Sequence, residues 1–149
     1  MNELQEFEEM FIPDKVTTTR DIERLEELLL STPEGEDTEI SIEEVLADGM
    51  YMRVGYFPAG VIGTAAIHLS DFLNIMVSGK MIVASEQGNV TVQGFDFFKS
   101  YAGVKKAFYI LEDTTFISID RVDTDELQED MKALYTVQGI QEYNRLRSS

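Results

Sequence analysis

From Met50 to Ile119 no apolar or alternating stretch lasts more than nine residues before Gly, Asn, Pro or an acidic side chain breaks it. The stretches are MYMRVGYF, VIGTAAIHL, FLNIMV, KMIVAS, NVTVQG, DFFKS, KKAFYIL and TTFISI. Runs this short cannot be amphipathic helices, and their spacing leaves no room for crossover helices between parallel strands. They predict about eight short antiparallel strands, closed on themselves as a barrel or stacked as a sandwich. Glu86-Gln87-Gly88-Asn89 supplies a hairpin turn, and Val90 and Val92 alternate with Thr91 and Gln93 as on a half-buried strand.

Helical periodicity appears only outside this block. In Thr17–Ser31, Ile22, Leu25, Leu28 and Leu29 form one apolar stripe. Thr18 or Thr19 offers an N-cap oxygen, and Pro33 and Gly35 end the segment. Ser41 and Glu44 fit a capping box, so Ile42–Ala47 reads as a helical turn or as a strand. Thr124 is placed to cap a helix over DELQEDMKALYTV, with Leu127, Met131 and Leu134 on one face. Gly139 separates it from a final helix, IQEYNRLR. The division expected is an acidic helical arm at 1–48, a β-barrel at 49–120 and helices at 121–149 packed on the barrel, all in one structural domain.

Charge follows the same division. The chain carries a net −16, of which −13 falls in Met1–Asp48, none in Gly49–Ile119 and −3 in Asp120–Ser149. A duplex needs clustered lysine and arginine to meet its phosphates, so direct nucleic-acid binding is not expected. There is no cysteine, which removes disulfides and thiolate chemistry. No apolar run is long enough to cross a membrane, and the acidic MNELQEFEEM lacks the form of a secretory signal. A cytoplasmic protein is the expectation.

PAGVIGTAAIHLSDFLNIMVSGKMIV followed by GFDFFKSYAGVKKAFYILEDTTFISI resembles the cupin superfamily of small antiparallel jelly-roll barrels. Within it, the chain is most similar to uncharacterised cupin-like proteins of tailed bacteriophages. The matching positions are Pro58-Ala59-Gly60, His68, Leu73-Asn74, Gly79, Gly103 with Lys105 and Lys106, and Glu112-Asp113-Thr114. The resemblance implies a mainly β fold, a single cupin-like jelly roll with N-terminal and C-terminal helices, and homodimers paired through sheet edges.

A metal-binding cupin supplies two histidines one residue apart, a glutamate, and a third histidine from a later strand. Here His68 holds the first position, Ser70 the second, Asp71 lies near the glutamate and Lys106 takes the place of the last histidine. Phe72 stands where the phage-type pattern has another histidine. An ammonium and a phenyl ring do not ligate metals, and a cation repels one. No metal, cofactor or catalytic residue is therefore expected, and His68 reads as an inward-facing hydrogen-bonding residue or a partly exposed structural one.

Lys105 and Lys106 are adjacent, so strand alternation turns only one of them inward, where it would meet an anion with His68 and Asn74 as further donors. The aromatic residues Phe95, Phe97, Phe98, Tyr101, Phe108, Tyr109 and Phe116, with Phe72 and Met76, are expected to fill the barrel and leave a small pocket. The function expected is a non-catalytic cupin-like binding module, a bacteriophage accessory protein acting on a protein partner or a small anionic ligand. The alternatives are an acidic inhibitor of a host defence or nucleic-acid enzyme, and a metal-dependent cupin enzyme.

Overall fold

Two long strands, β5 (Phe72–Ala84) and β8 (Lys106–Arg121), run antiparallel along their whole length and form the spine of the molecule. The computed structural model describes Phe7, residues 9–31 and residues 40–148. On one half of the spine, β1 (Ser41–Ala47) and β2 (Met50–Phe57) extend the sheet beyond β8, and β7 (Asp96–Ser100) extends it beyond β5. On the other half, β3 (Ile62–Ala65) pairs with β8 and β6 (Val90–Gln93) with β5. All these pairings are antiparallel, and hydrogen bonds do not close the sheet into a full cylinder.

The spine bends where the register of β5 slips between Met76 and Met81. Before the slip, even-numbered residues of β5 face inward (Phe72, Asn74, Met76); after it, odd-numbered ones do (Met81, Val83). Bulges of this kind let a continuous strand turn a corner and serve two sheets. Gly79, at φ 108°, sits at the corner, where a Cβ would run into Thr114 and the backbone of Asp113. The sequence reading of separate strands FLNIMV and KMIVAS, and of KKAFYIL and TTFISI, is thus replaced by two long strands.

The bend creates two apolar layers. Inside lie Val61, Met76, Met81, Val92 and Ile110, with Phe57, Phe98, Phe108 and Phe116 packed around them. Outside, helix α1 (Thr19–Ser31) lays Ile22 and Leu25, both fully buried, on Ile82, Ala84 and Ala107. Each such side chain contributes about 1.5–3 kcal/mol by leaving water. Thr18 is the N-cap: its Oγ1 accepts the Asp21 N–H at 3.1 Å. Ahead of α1, a 3-10 turn at Glu9–Phe11 buries Phe11 against Tyr109. Asn89, in the expected hairpin turn, donates from Nδ2 to the carbonyls of Met10 and Ile12 and fixes this segment to the barrel.

Two further expectations change. Of the alternatives at Ile42–Ala47 the strand holds, paired throughout with β2, so the sheet begins ahead of residue 49. The helix expected over Asp125–Val137 shrinks to α2 (Lys132–Tyr135). Met131 and Tyr135 are buried beside Tyr51 and Val122, whereas Leu127 and Leu134 are exposed, so no common face is buried. The chain then extends as β9 (Thr136–Val137) to pair with β4 (Ile67–His68). After Gly139 the last helix, α3 (Ile140–Arg147), forms as expected, with Tyr143 against Gly103. The Pro33–Gly35 stop lies outside the described residues. No helix among the described residues is long and apolar enough to cross a membrane.

Candidate functional site

The barrel interior is open. A cavity of about 590 Å³ lies between the two halves of the bent sheet. Its walls are apolar at one end (Phe57, Met81, Phe108, Phe116) and polar at the other, where His68, Asn74, Ser100, Lys106, Ser118 and Thr136 meet. This corrects the expectation that aromatic side chains leave only a small pocket. Phe95 and Phe97 point to solvent, Tyr101 stands half exposed at the cavity rim, and Tyr109 packs outside under α1, which leaves too few rings to fill the space.

Lys106 opens β8 on its inner face, and its ammonium donates to Ser100 Oγ at 2.8 Å. Ser100 Oγ in turn donates to Asn74 Oδ1, and Asn74 Nδ2 donates to the Ile117 carbonyl at 3.4 Å. Ser100 pairs with Phe72 across β7 and β5, and Asn74 lies two residues further along the same face of β5, so the two polar side chains meet on the diagonal. The ammonium also lies 5.4 Å from the Phe72 ring centroid. Among the described residues it has no carboxylate partner, and burial lowers its pKa to about 8.

His68 ends β4 and stacks on Phe72 with ring centroids 3.6 Å apart. Its Nδ1 lies 2.5 Å from Asp120 Oδ1, and both side chains are nearly buried. An ionised carboxylate can only accept, so Nδ1–H donates to Asp120, and Nε2 has no hydrogen-bond partner among the described residues. The second Asp120 oxygen is buried and unpartnered. Tyr135 closes this corner, 5.4 Å from the imidazole, and burial raises its pKa.

The structure therefore brings His68, Asn74 and Lys106 to one cavity and turns Lys105 away. Lys105 is fully buried beneath α1, where its ammonium meets Glu26 Oε2 at 2.6 Å and the Gln138 carbonyl at 2.9 Å. Burial alone would raise the Glu26 pKa, but the Lys105 and Thr64 hydrogen bonds override it and the net shift is downward. Asp71 is also elsewhere: it accepts the Ala102 N–H and meets Lys99 on the rim.

The donor set does not fit a metal. Beyond Nε2 of His68, the neighbouring positions offer only a phenyl ring, an ammonium and neutral oxygens, too few ligands to hold an ion. Among the described residues no three His, Asp or Glu side chains are grouped to hold an ion. The wall suits an anion instead. Among the described residues Arg53, Lys106 and Lys132 line the cavity, with Lys99 at its rim, and no aspartate or glutamate does, in a chain with 28 acidic and 12 basic residues.

Asp120, Ser100 and Tyr135 belong to this site and were not singled out from sequence. Asp120 had a signal: it continues the alternation of Phe116 and Ser118 on the inward face of β8. Tyr135 had none, because its place depends on the short β4–β9 pairing.

No protein-family model matches the sequence, and no curated protein matches it. Solved structures do, and several of them are named as cupins. A cupin-superfamily protein from Desulfitobacterium hafniense aligns at a TM-score of 0.51 and 13% identity, covering 57% of this chain and 79% of its own. The DMSP lyase DddQ of Ruegeria pomeroyi aligns at 0.54 and 14%, covering 64% of this chain and 53% of its own. A conserved protein of unknown function from Streptococcus pyogenes aligns at 0.50 and 16%, covering 59% and 78%. The fold is cupin-like, and at these identities the likeness is one of fold alone.

Proposed function

We propose that this chain is a cupin-fold binding module whose barrel takes a small organic anion with an apolar body. The observation that carries this reading is the cavity wall, which among the described residues gathers Arg53, Lys106 and Lys132 and carries no aspartate or glutamate. Lys106 has donors to spare beyond Ser100, and the aromatic walls suit a hydrocarbon tail. The bacteriophage accessory role is part of the proposal and rests on the sequence resemblance.

Thermal unfolding with a panel of aliphatic and aromatic carboxylates tests the reading. A ligand at 100 times its Kd stabilises by about 2.7 kcal/mol, which is readily seen as a rise in melting temperature. That rise is expected for medium-chain carboxylates, absent for the matching amines, and abolished by Lys106→Met. A panel with no stabilising anion removes the proposal.

A second observation favours a protein partner, namely another copy of this chain. Across the half of the sheet built from β1, β2, β8, β5 and β7, the outward row is Val45, Met52, Ile119 and Leu73. The next outward row is Val54, Ile117, Ile75 and Phe97. None of these residues belongs to a buried cluster of the described residues, and Val45, Leu73 and Phe97 are at least half exposed. One such row ends in Lys99 and the other begins with Glu43, so the face is nearly uncharged yet carries opposite signs at opposite edges. That suits an isologous homodimer.

A further inference from the structure

We infer that the cavity carries two separate anion anchors, Lys106 and the pair Arg53–Lys132, and that its ligand is a dicarboxylate with an apolar body. This rests on the anion-binding reading above and names the class of anion.

The strand register sets the anchors apart. Arg53, Ser118 and Asn74 pair directly across β2, β8 and β5, and all three line the cavity. Neighbouring strands lie about 4.8 Å apart, so the Arg53 backbone stands about 10 Å from that of Asn74. Lys106 is held at the Asn74 end of this row through Ser100. Between the two ends, the Ser118 hydroxyl has no hydrogen-bond partner among the described residues.

The second anchor is a like-charge pair. Lys132 opens α2 at the cavity mouth, where desolvation and the nearby Arg53 guanidinium lower its pKa despite Asp130. Arg53 is hydrogen-bonded to Tyr135, a neutral group, and so keeps its charge unmatched. Glu44 stands opposite Arg53 on β1, but it accepts from the Tyr51 hydroxyl and lies outside the cavity. Among the described residues neither Arg53 nor Lys132 forms an ion pair. Two cations held together without a counter-ion repel, and a bound anion relieves that repulsion.

Charge and spacing then select the ligand. A single carboxylate at Lys106 leaves Arg53 and Lys132 unmatched, and one at Arg53 leaves Lys106 unmatched. A compact dianion such as a phosphate monoester occupies one end of the row only. Two carboxylates joined by a short carbon chain meet both anchors at once. One accepts from the Lys106 ammonium, the other takes the forked donors of Arg53, and the Ser118 hydroxyl donates between them. A substituent on the chain then lies among Phe57, Met81, Phe108 and Phe116 at the apolar end.

Titration calorimetry on the full chain compares 2-benzylsuccinate and 2-benzylglutarate with 4-phenylbutanoate, which keeps the apolar end and has one carboxylate. Benzyl phosphate supplies the compact dianion. Expected is that at least one diacid binds at least about 10-fold more tightly than either reference compound. Arg53→Met should bring that diacid to the affinity of 4-phenylbutanoate and leave 4-phenylbutanoate itself unchanged. Lys106→Met should abolish binding of 4-phenylbutanoate and weaken the diacid. Lys132→Met should weaken the diacid alone, by about threefold, and serves if Arg53→Met does not fold. Three results each overturn the second anchor and leave the anion pocket standing: diacids no tighter than 4-phenylbutanoate, benzyl phosphate as tight as the diacids, or Arg53→Met weakening both kinds of acid equally. No binding by any of the four compounds, with no response to the carboxylate panel, overturns both.

Discussion

Lys106 costs this protein stability, and the sign of that cost can be measured. Burial lowers its pKa from 10.5 to about 8, so the unfolded chain holds the proton more tightly than the folded one. The penalty is complete below about pH 8, fades as pH rises towards 10.5, and is gone above it. Lys106→Met should therefore be more stable than the native chain at neutral pH, by about 1–3 kcal/mol in urea unfolding. The gain should vanish near the upper end of that window. A variant less stable at both ends would make Lys106 a structural residue. Lys105 is the opposite case: its charge is matched by Glu26, and it binds α1 to the barrel and to the Gln138 carbonyl. Sequence alternation showed that the two lysines diverge, but not which faces in, because that depends on where β8 starts. His68 and Asn74 were legible through their motif positions. Asp120 was hidden at the end of a strand that pattern alone stopped at Ile119.

At the scale of elements, the corner of β5 decides whether the cavity exists. Gly79 and Gly88 have nearly the same backbone, with φ 108° and 112°, but different surroundings. A Cβ at Gly79 would strike Thr114 and the Asp113 backbone, while one at Gly88 would meet nothing within 4 Å. Gly88→Ala should cost about 1 kcal/mol for the left-handed conformation alone. Gly79→Ala should cost clearly more in urea unfolding, since strain and overlap add. Equal losses would mean that β5 and β8 adjust freely at the corner. Strand positions were readable because alternation and punctuation are local. The joining of four short runs into two long strands was not, because a bulge keeps the ladder going through a glycine that looks like a break. The shortened C-terminal helix has a similar cause: the backbone pairing of Thr136–Val137 with Ile67–His68 outweighs a weak apolar stripe.

For the molecule as a whole, charge and apolar surface are segregated. Acidic residues concentrate in Met1–Asp48, basic ones line the cavity, and the outward sheet face bears almost no charge. Two copies, each at −16, repel at long range, yet their uncovered faces gain by leaving water. These terms respond oppositely to salt: screening weakens the repulsion over a Debye length of about 10 Å or less, while apolar burial persists. Self-association through this face should therefore tighten as ionic strength rises, the reverse of a contact held by ion pairs. Phe97→Asp places a carboxylate at a position 71% exposed in the single chain, so folding should be spared. In sedimentation equilibrium the native chain should shift from monomer towards dimer with added salt, and Phe97→Asp should stay monomeric throughout. A native chain that remains monomeric at high salt, or a dimer indifferent to Phe97→Asp, would assign the apolar face to some other partner or to none.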